Sequence, residues 1–206
     1  VLVLVKRSFI QWLTAFLYNA HLPGFLQGRI YRGPLKSVCV PGLNCYSCPG
    51  AVGACPLGSL QSSLSGVILQ FPFYGLGFLL LLGLLFGRLI CGWACPFGLV
   101  QELLYKLPTP KLKLSPAVQR FTLLKYIITV LFIVVLPLAF YYFDGIGIPA
   151  FCKYICPAGT LEAALPLAAV DMNIRNALGS LFTWKFFILL IVIVASSCIY
   201  RSFCWF

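Results

Sequence analysis

The run Cys-Pro-x-Gly recurs at three places in the chain. Each run is preceded by further cysteines, which are Cys45 and Cys48 in the first, Cys91 in the second and Cys152 in the third. A cysteine pair that ends in Cys-Pro is typical of the ferredoxin ligand run, in which thiolates hold a 4Fe–4S cubane. Three such runs predict iron–sulfur chemistry. They are Cys55-Pro56-Leu57-Gly58, Cys95-Pro96-Phe97-Gly98 and Cys156-Pro157-Ala158-Gly159.

The spacing within each cysteine pair suits two of the four thiolate ligands of a cubane. Two thiolates four residues apart, as in Cys91/Cys95 and Cys152/Cys156, face the same way on one helical turn. The proline donates no backbone hydrogen bond, and the glycine lets the chain turn tightly beside a bulky inorganic core. Two such pairs from distant parts of the chain would complete a cubane and join their helices.

Disulfides and zinc are the alternatives for these thiols. Disulfides are favoured outside the cytoplasm, and Cys39 with Cys45 could form one. Zinc also accepts four thiolates, but zinc motifs rarely carry the Cys-Pro-x-Gly ending, so iron–sulfur is favoured. Cys198 falls in an apolar segment and is better explained as a small buried hydrophobe.

The composition places these motifs in a membrane protein. Of 206 residues, 61% are hydrophobic and 9% charged, against about 25% charged in a typical soluble domain. The net charge of +11 does not indicate nucleic-acid binding, because most basic residues flank apolar stretches, as they do in membrane proteins. Membrane lipid is therefore an expected partner, and nucleic acid is not.

The elements that carry the motifs are expected to be transmembrane helices. A helix of about 20 apolar residues crosses a bilayer, and the chain offers about four. The fold class is thus an all-α integral membrane protein, with short interfacial or re-entrant helices after the Cys-Pro-x-Gly motifs. The expected spans lie within Val1–Leu22 and at Leu64–Gly87, Phe121–Phe143 and Leu181–Tyr200.

The chain is read as one membrane domain, residues 1–206, made of two duplicated helix pairs at about 1–105 and 106–206. Arg88 and Arg201 precede Cys91 and Cys204 at the same distance. This symmetry predicts that a further Cys-x3-Cys-Pro runs on from Cys204.

The basic loop after the second span is expected to be cytoplasmic. This orientation places the cysteines on opposite faces of the membrane and predicts one cluster site on each face. The outer site takes Cys152 and Cys156 with two of Cys45, Cys48 and Cys55, and the inner site takes Cys91, Cys95 and Cys204 with one unseen ligand; Cys39 is a further candidate. A rival pairing joins Cys91 and Cys95 to Cys152 and Cys156. Because the hydrocarbon core is about 30 Å thick, either the motifs dip inward or another cofactor lies between them.

Two carboxylates follow the motifs by a few residues, Glu102 and Glu162. Both are expected in the first turns of short helices, where a carboxylate favours the helix dipole. They are candidates for tuning the potential of a cluster. Lys185 is expected near a helix end, with its amine at the membrane interface.

The stretches Cys39 to Pro49, Arg88 to Gly98 and Phe151 to Gly159 resemble membrane 4Fe–4S binding proteins related to the polyferredoxins that accompany periplasmic nitrate reductase and nitrous oxide reductase. The resemblance implies two 4Fe–4S clusters and electron relay across or along the plasma (inner) membrane of a prokaryote. It implies a multi-pass electron-carrier subunit of an oxidoreductase complex rather than a stand-alone enzyme. Ferredoxin, quinone-reactive, cytochrome or flavoprotein subunits are the expected partners.

Other functions stay open from the sequence. The clusters could serve an iron–sulfur redox sensor or a maturation factor, and the cysteines could belong to a structural zinc or disulfide membrane protein. Cluster loss on oxidation with a change of partner binding would favour the sensor.

Overall fold

The computed structural model describes residues 2–65, 73–111, 122–200 and 202. These residues are mostly helical and contain no β-strand, only a single bridge between Cys39 and Ala54. The helices are α1 (Leu2–Tyr18), α2 (Pro23–Gln27), α3 (Pro56–Leu64), α4 (Phe73–Leu85), α5 (Arg88–Trp93), α6 (Pro96–Tyr105), α7 (122–144), α8 (Pro157–Val170) and α9 (Met172–Cys198).

Three of these helices begin directly after a cysteine motif, as the sequence predicts. Pro56, Pro96 and Pro157 each start a helix, and the preceding cysteine is the N-cap in each case. Proline suits the first helical position because its N–H would have no helical acceptor there and its φ is already helical. The Cys-Pro-x-Gly motif is therefore a helix start that puts a thiol at the helix N-terminus.

Two helices among the described residues are long and apolar enough to cross a membrane. They are Tyr126–Asp144 and Met172–Cys198, each with a mean hydropathy of 2.3. Helix α1 has 17 residues and α4 has 13, and the expected span Leu64–Gly87 includes residues 66–72, which lie outside the described ranges. A mostly helical fold is confirmed, whereas the count of four spans stays a prediction.

Helix α9 begins nine residues before the expected start of the fourth span at Leu181. The Asp171 side chain caps the new start by accepting a hydrogen bond from the Asn173 N–H at 2.9 Å. The helix is kinked at Gly179, whose φ of 48° is one that glycine adopts readily. The chain thus turns at Gly179 into the apolar part that contains Lys185.

Helix α1 is fixed to the helices around the second cysteine motif. Arg7 forms a salt bridge with Glu102 of α6, and the Gln11 amide donates to the Gly92 carbonyl at 2.6 Å. Glu102 is the seventh residue of the ten-residue α6, which places it in the second turn of a short helix, as expected. Its charge is balanced by Arg7 instead of by the helix dipole.

The packed interior is built from the motifs themselves. Cys95 and Cys156 are buried in the same apolar cluster as Phe97, Phe151 and Ile133. Large apolar side chains elsewhere are exposed along the outer helix faces. The cysteine motifs therefore lie at the centre of the fold.

Candidate metal centre

The loop between α2 and α3 is folded so that Cys45 and Cys55 come together. Val40 donates a backbone hydrogen bond to Ala54 at 2.9 Å, and Cys55 donates one to Asn44 at 3.1 Å. The fully buried Asn44 amide also donates to the Gly53 carbonyl at 3.2 Å. These bonds close the loop on itself.

Four cysteines from two distant motifs line one cavity of about 860 Å³. They are Cys45 and Cys55 from the first motif and Cys152 and Cys156 from the third. Gly159 lies directly beside the thiols, because a Cβ there would be 3.6 Å from the Cys45 Sγ and 3.7 Å from the Cys156 Sγ. The sequence expected two of Cys45, Cys48 and Cys55 beside the third motif, and the structure brings Cys45 and Cys55 there.

These thiols are electrostatically coupled. Burial, together with the nearby Cys55 and Cys45, raises the pKa of Cys152 to about 12. Burial also raises the pKa of Cys55 to about 11, against backbone N–H groups of Gly58 and Leu57 that favour the thiolate. Four thiols in this state are protonated without metal, and metal binding must displace their protons.

The donor set is four cysteine thiols, which either a zinc ion or a 4Fe–4S cubane accepts. The nine cysteines described form no disulfide with one another. Four thiols spread around one cavity are the ligand set of a 4Fe–4S cubane.

Two side chains link the two halves of this site, because each accepts a hydrogen bond from a cysteine N–H of the other motif. The Gln61 Oε1 accepts a hydrogen bond from the Cys152 N–H at 3.0 Å, and the Glu162 Oε2 accepts one from the Cys45 N–H at 2.8 Å. Each acceptor stands six residues after the cysteine of its own Cys-Pro-x-Gly motif. Each motif therefore holds the backbone of a cysteine in the other.

Glu162 lies in the π-helical turn Thr160–Ala164 of α8. Desolvation raises the pKa of Glu162 to about 7, while the hydrogen bond from the Cys45 backbone lowers it. The structural role of Glu162 is to accept the hydrogen bond from Cys45. A position near the helix dipole does not by itself predict this bond.

Gln61 makes a second bond that joins the site to α7. Its Nε2 donates to the Phe132 carbonyl at 2.9 Å, within the π-helical turn Leu131–Val135 of α7. Pro137 lacks an N–H, so a carbonyl in the preceding turn loses its helical donor, and Gln61 supplies one. The fully buried Gln61 thus connects three segments of the chain.

Sequence reasoning missed Gln61. The available signal was a polar residue at the sixth position after the cysteine of each Cys-Pro-x-Gly motif. The three residues at that position are Gln61, Gln101 and Glu162.

Two of the predicted ligands do not line the cavity. The chain turns between Cys45 and Cys48, whose N–H donates to the Cys45 carbonyl at 3.0 Å, and the Cys48 Sγ lies 3.6 Å from the Asn19 Oδ1. Cys39 is held in the bridge to Ala54, and its N–H donates to the Tyr74 hydroxyl at 3.3 Å. Both thiols are buried beside the site and outside its cavity.

The second motif adjoins the loop that carries Cys45. The Leu43 N–H donates to the Cys95 Sγ at 3.4 Å, and a Cβ on Gly42 would be 3.1 Å from the Cys95 Cα. Leu43 and Cys45 are two residues apart, which is at most about 7 Å of chain. The first and second cysteine motifs are therefore neighbours within the described part of the fold.

Cys91 and Cys95 form a half-site. Cys91 is exposed and Cys95 buried, and Gly98 approaches so closely that a Cβ there would be 2.6 Å from the Cys91 carbonyl. Cys204, the third expected ligand of this site, lies outside the described residues. The rival pairing of Cys91 and Cys95 with Cys152 and Cys156 is not the arrangement around the cavity, which Cys45 and Cys55 complete.

Two lysines flank the first site. Lys185 of α9 lines the cavity, where its charge lowers the pKa of Cys45 and Cys152. Lys36 is buried, donates to the Ala51 carbonyl at 2.7 Å and lies 5.1 Å from the centre of the Tyr46 ring. Lys185 was expected only at the membrane interface, and its place beside the thiols is a property of the tertiary structure.

Two segments of the chain match a family of 4Fe–4S binding domains, at residues 68–115 and 126–165. The first segment contains Cys91 and Cys95, and the second contains Cys152 and Cys156. The cofactors of this protein are 4Fe–4S clusters. The two matched segments, together less than half of the chain, are consistent with two clusters.

Two uncharacterised proteins of Methanocaldococcus jannaschii are similar to part of the iron–sulfur protein. One is 32% identical, with 40% of this chain and 42% of the relative covered. The other is 36% identical, with 40% of this chain and 34% of the relative covered. The chain thus spans less than half the length of these relatives. No solved structure matches it.

Proposed function

We propose that this protein is a membrane electron carrier with two 4Fe–4S clusters, which relays electrons between redox partner proteins. In this proposal Cys45, Cys55, Cys152 and Cys156 hold the first cluster. Cys91 and Cys95, with Cys204 and one further ligand, hold the second. The observation that carries the proposal is the convergence of four thiols from two Cys-Pro-x-Gly motifs on one cavity.

The cluster would supply one-electron chemistry at this site, and the chain's own residues set its surroundings. Cys55 and Cys156 are the N-cap residues of their helices, at the helix end where negative charge is favoured. The Gly159 N–H donates to the Cys156 Sγ at 3.3 Å, and such bonds raise the potential of a cluster. The residues are thus arranged to stabilise added negative charge.

A short path between the two sites favours relay over storage. The hydrogen bond from Leu43 to the Cys95 Sγ and two residues of chain connect a ligand of one site with a ligand of the other. An electron that enters at one cluster would therefore have a neighbouring acceptor.

A multi-pass location in the plasma membrane of a prokaryote belongs to the same proposal. It is supported by the two apolar helices long enough to span. Side chains such as Leu84 of α4 and Phe143 of α7, 86% and 82% exposed, are costly in water and suited to lipid.

The test is the content of iron and acid-labile sulfide per chain in anaerobically purified protein, together with low-temperature EPR after reduction by dithionite. Two cubanes give about eight of each and an S = 1/2 signal. About four of each contradicts the second cluster, and zinc without sulfide contradicts the whole proposal.

Replacing Lys185 by glutamine is expected to make the first cluster harder to reduce. Reduction adds a negative charge beside the Lys185 amine, and a charge pair about 8 Å apart at an effective dielectric constant of about 20 is worth about 2 kcal/mol. Because Lys185 is partly exposed, solvent screens part of this attraction between the lysine and the added charge. We expect the one-electron reduction equilibrium to fall about tenfold, or about 59 mV, in an EPR-monitored redox titration.

Lys153 provides the matched control. It follows Cys152 directly and is equally partly exposed, but it does not line the cavity and lies 5.4 Å from the centre of the Tyr154 ring. Lys153→Gln removes the same charge and should shift the equilibrium far less. Equal shifts in the two variants would mean that Lys185 acts only through net charge.

A further inference from the structure

Lys36 is a buried lysine beside the thiols of the first site. It is 4% exposed and lines the same cavity as the four cysteines. Its ammonium donates to the Ala51 carbonyl at 2.7 Å and to the Cys48 carbonyl at 3.4 Å. Both acceptors are neutral, so they satisfy hydrogen bonds of the ammonium without balancing its charge. Because lysine is almost never buried unless it is paired, this position requires a counter-ion.

No carboxylate among the described residues takes this role. The chain has four acidic residues, and all four lie in the described ranges. None of them forms a salt bridge with Lys36, and Glu102 pairs with Arg7. The other three are the cap of α9, the acceptor of the Cys45 N–H and an exposed residue at the end of α7, which are Asp171, Glu162 and Asp144.

The thiols beside Lys36 can supply the missing negative charge when they are ligands. Burial lowers the pKa of Lys36, and the thiols of Cys48 and Cys45 raise it. Cys45 lines the cavity with Lys36, and thiols lose their protons when they bind a metal. A cubane held by four thiolates is an anion, and its reduction adds a further negative charge. An anion in this cavity is therefore the partner that the buried ammonium requires.

We propose that Lys36 is the internal counter-ion of the first cluster, a buried ammonium that stabilises the reduced state from the side of the loop that carries Cys45. This inference rests on the proposed function, because it requires a cluster at this site. The role differs from that of the partly exposed Lys185, whose attraction salt screens, since a buried charge is screened much less.

The experiment is an EPR-monitored redox titration of the full chain, purified anaerobically, as wild type, Lys36→Met and Lys36→Arg. The signal of the first cluster is the one that Cys152→Ala lacks. A charge about 12 Å from the cluster, at an effective dielectric constant of about 20, changes the equilibrium about tenfold. Lys36→Met should therefore lower the one-electron reduction equilibrium about tenfold, or about 59 mV. Lys36→Arg keeps the charge and should stay close to wild type.

Lys111→Met is the matched control. The Lys111 amine also donates to backbone carbonyls, those of Leu107 at 2.8 Å and Ser197 at 3.0 Å, but Lys111 is exposed and does not line the cavity. Its replacement removes the same charge and the same kind of bond. Because an exposed charge acts weakly, we expect a shift of less than about twofold. Equal shifts in Lys36→Met and Lys111→Met would overturn the inference.

Lys36→Gln separates the charge from the hydrogen bonds. The glutamine amide can still donate to a carbonyl of the loop, but it carries no charge. Lys36→Gln should therefore shift the equilibrium as Lys36→Met does, and a wild-type equilibrium in Lys36→Gln would mean that Lys36 only holds the loop. The shift should persist between about 0.01 M and about 1 M salt, whereas that of Lys185→Gln should shrink. A Lys36 shift that disappears at high salt contradicts a buried counter-ion.

The cluster content distinguishes this inference from the function on which it rests. If the wild type has no signal that Cys152→Ala removes, the proposed first cluster is wrong. If the first cluster is present in wild type and in Lys36→Met with the same reduction equilibrium, only the role of Lys36 is wrong. Should Lys36→Met and Lys36→Gln lose the first cluster, retention in Lys36→Arg supports the counter-ion, and loss in Lys36→Arg overturns it.

Discussion

Replacing Cys152 by alanine is expected to remove one of the two proposed clusters, and with it about half of the iron and sulfide of the protein. Cys152 shares its cavity with Cys45, Cys55 and Cys156, and a cubane held by four thiolates loses a ligand that no neighbouring thiol can replace. The same loss is expected for alanine at each of the other three positions. The measurement is iron and sulfide per chain, with EPR of the reduced protein.

Cys48→Ala is the matched control for this experiment. Cys48 is in the same loop as Cys45 and is 1% exposed, but its sulfur faces Asn19 and does not line the cavity. We expect Cys48→Ala to keep the full iron content. If it loses as much iron as Cys45→Ala, the ligand set proposed for the first cluster is wrong.

Loss of this cluster should also lower the stability of the fold. Cys45 and Cys55 precede α3, whereas Cys152 and Cys156 precede α8, so the cluster connects segments about one hundred residues apart. A metal group that binds only the folded chain adds its binding free energy to stability. Cys152→Ala should therefore unfold at a lower temperature than Cys48→Ala.

Replacing Gln61 by leucine is expected to destabilise the protein by about 2–4 kcal/mol and to weaken retention of the first cluster. The change leaves the Cys152 N–H and the Phe132 carbonyl without partners, and each unsatisfied buried group costs about 1–3 kcal/mol. Because Cys152 is then no longer held by its backbone, its thiolate should dissociate from the cluster more readily. Thermal unfolding and the rate of iron release to a chelator measure the two effects.

Ser63→Ala is a control within the same helix. The Ser63 hydroxyl donates to the Ser59 carbonyl of α3 at 3.1 Å. Ser63 also borders the cavity, but among the described residues its side chain makes no hydrogen bond to Cys152 or Phe132. We expect Ser63→Ala to lower the free energy of unfolding by less than about 1 kcal/mol, as for the loss of a local hydrogen bond. A similar destabilisation in both variants would remove the argument that Gln61 acts through Cys152 and Phe132.

Variants of Glu162 test the second of the two hydrogen bonds that link the motifs, the one from the Cys45 N–H. Glu162→Gln keeps an acceptor oxygen for the Cys45 N–H and should retain the cluster, since the amide oxygen of Gln61 accepts the equivalent hydrogen bond from Cys152. Glu162→Leu removes the acceptor and should release iron as fast as Gln61→Leu. Equal behaviour of the two Glu162 variants would mean that the bond to Cys45 is not what matters there.

Local sequence patterns identified the chemistry because they act over a few residues. Cys-Pro-x-Gly makes a helix start with a thiol at its N-cap, and this holds at Cys55, Cys95 and Cys156. The iron–sulfur prediction is confirmed by the matched domains. The end of α7 at Asp144 agrees with the apolar run, and the apolar part of α9 begins after the kink at Gly179, close to the expected Leu181. The preceding part of α9, capped by Asp171, is not in the hydropathy pattern.

Longer-range relations could not be read from the same patterns. Glu102 was expected to interact with its own helix, but Arg7, 95 residues away, is its partner. Lys185 was assigned to the membrane interface because an apolar helix with one lysine gives no sign of a facing cavity. In both cases the local pattern does not show which distant segment contacts the side chain.

The amino-acid sequence by itself determined that this is an apolar, cysteine-rich helical protein with 4Fe–4S motifs, because composition and short spacing are local properties. Only the tertiary structure decided that Cys45 and Cys55, and not Cys48, share a cavity with Cys152 and Cys156. The same is true of the exchange of hydrogen bonds through Gln61 and Glu162. The physical reason is that thiols in one chain are chemically equivalent until packing brings four of them to the same place.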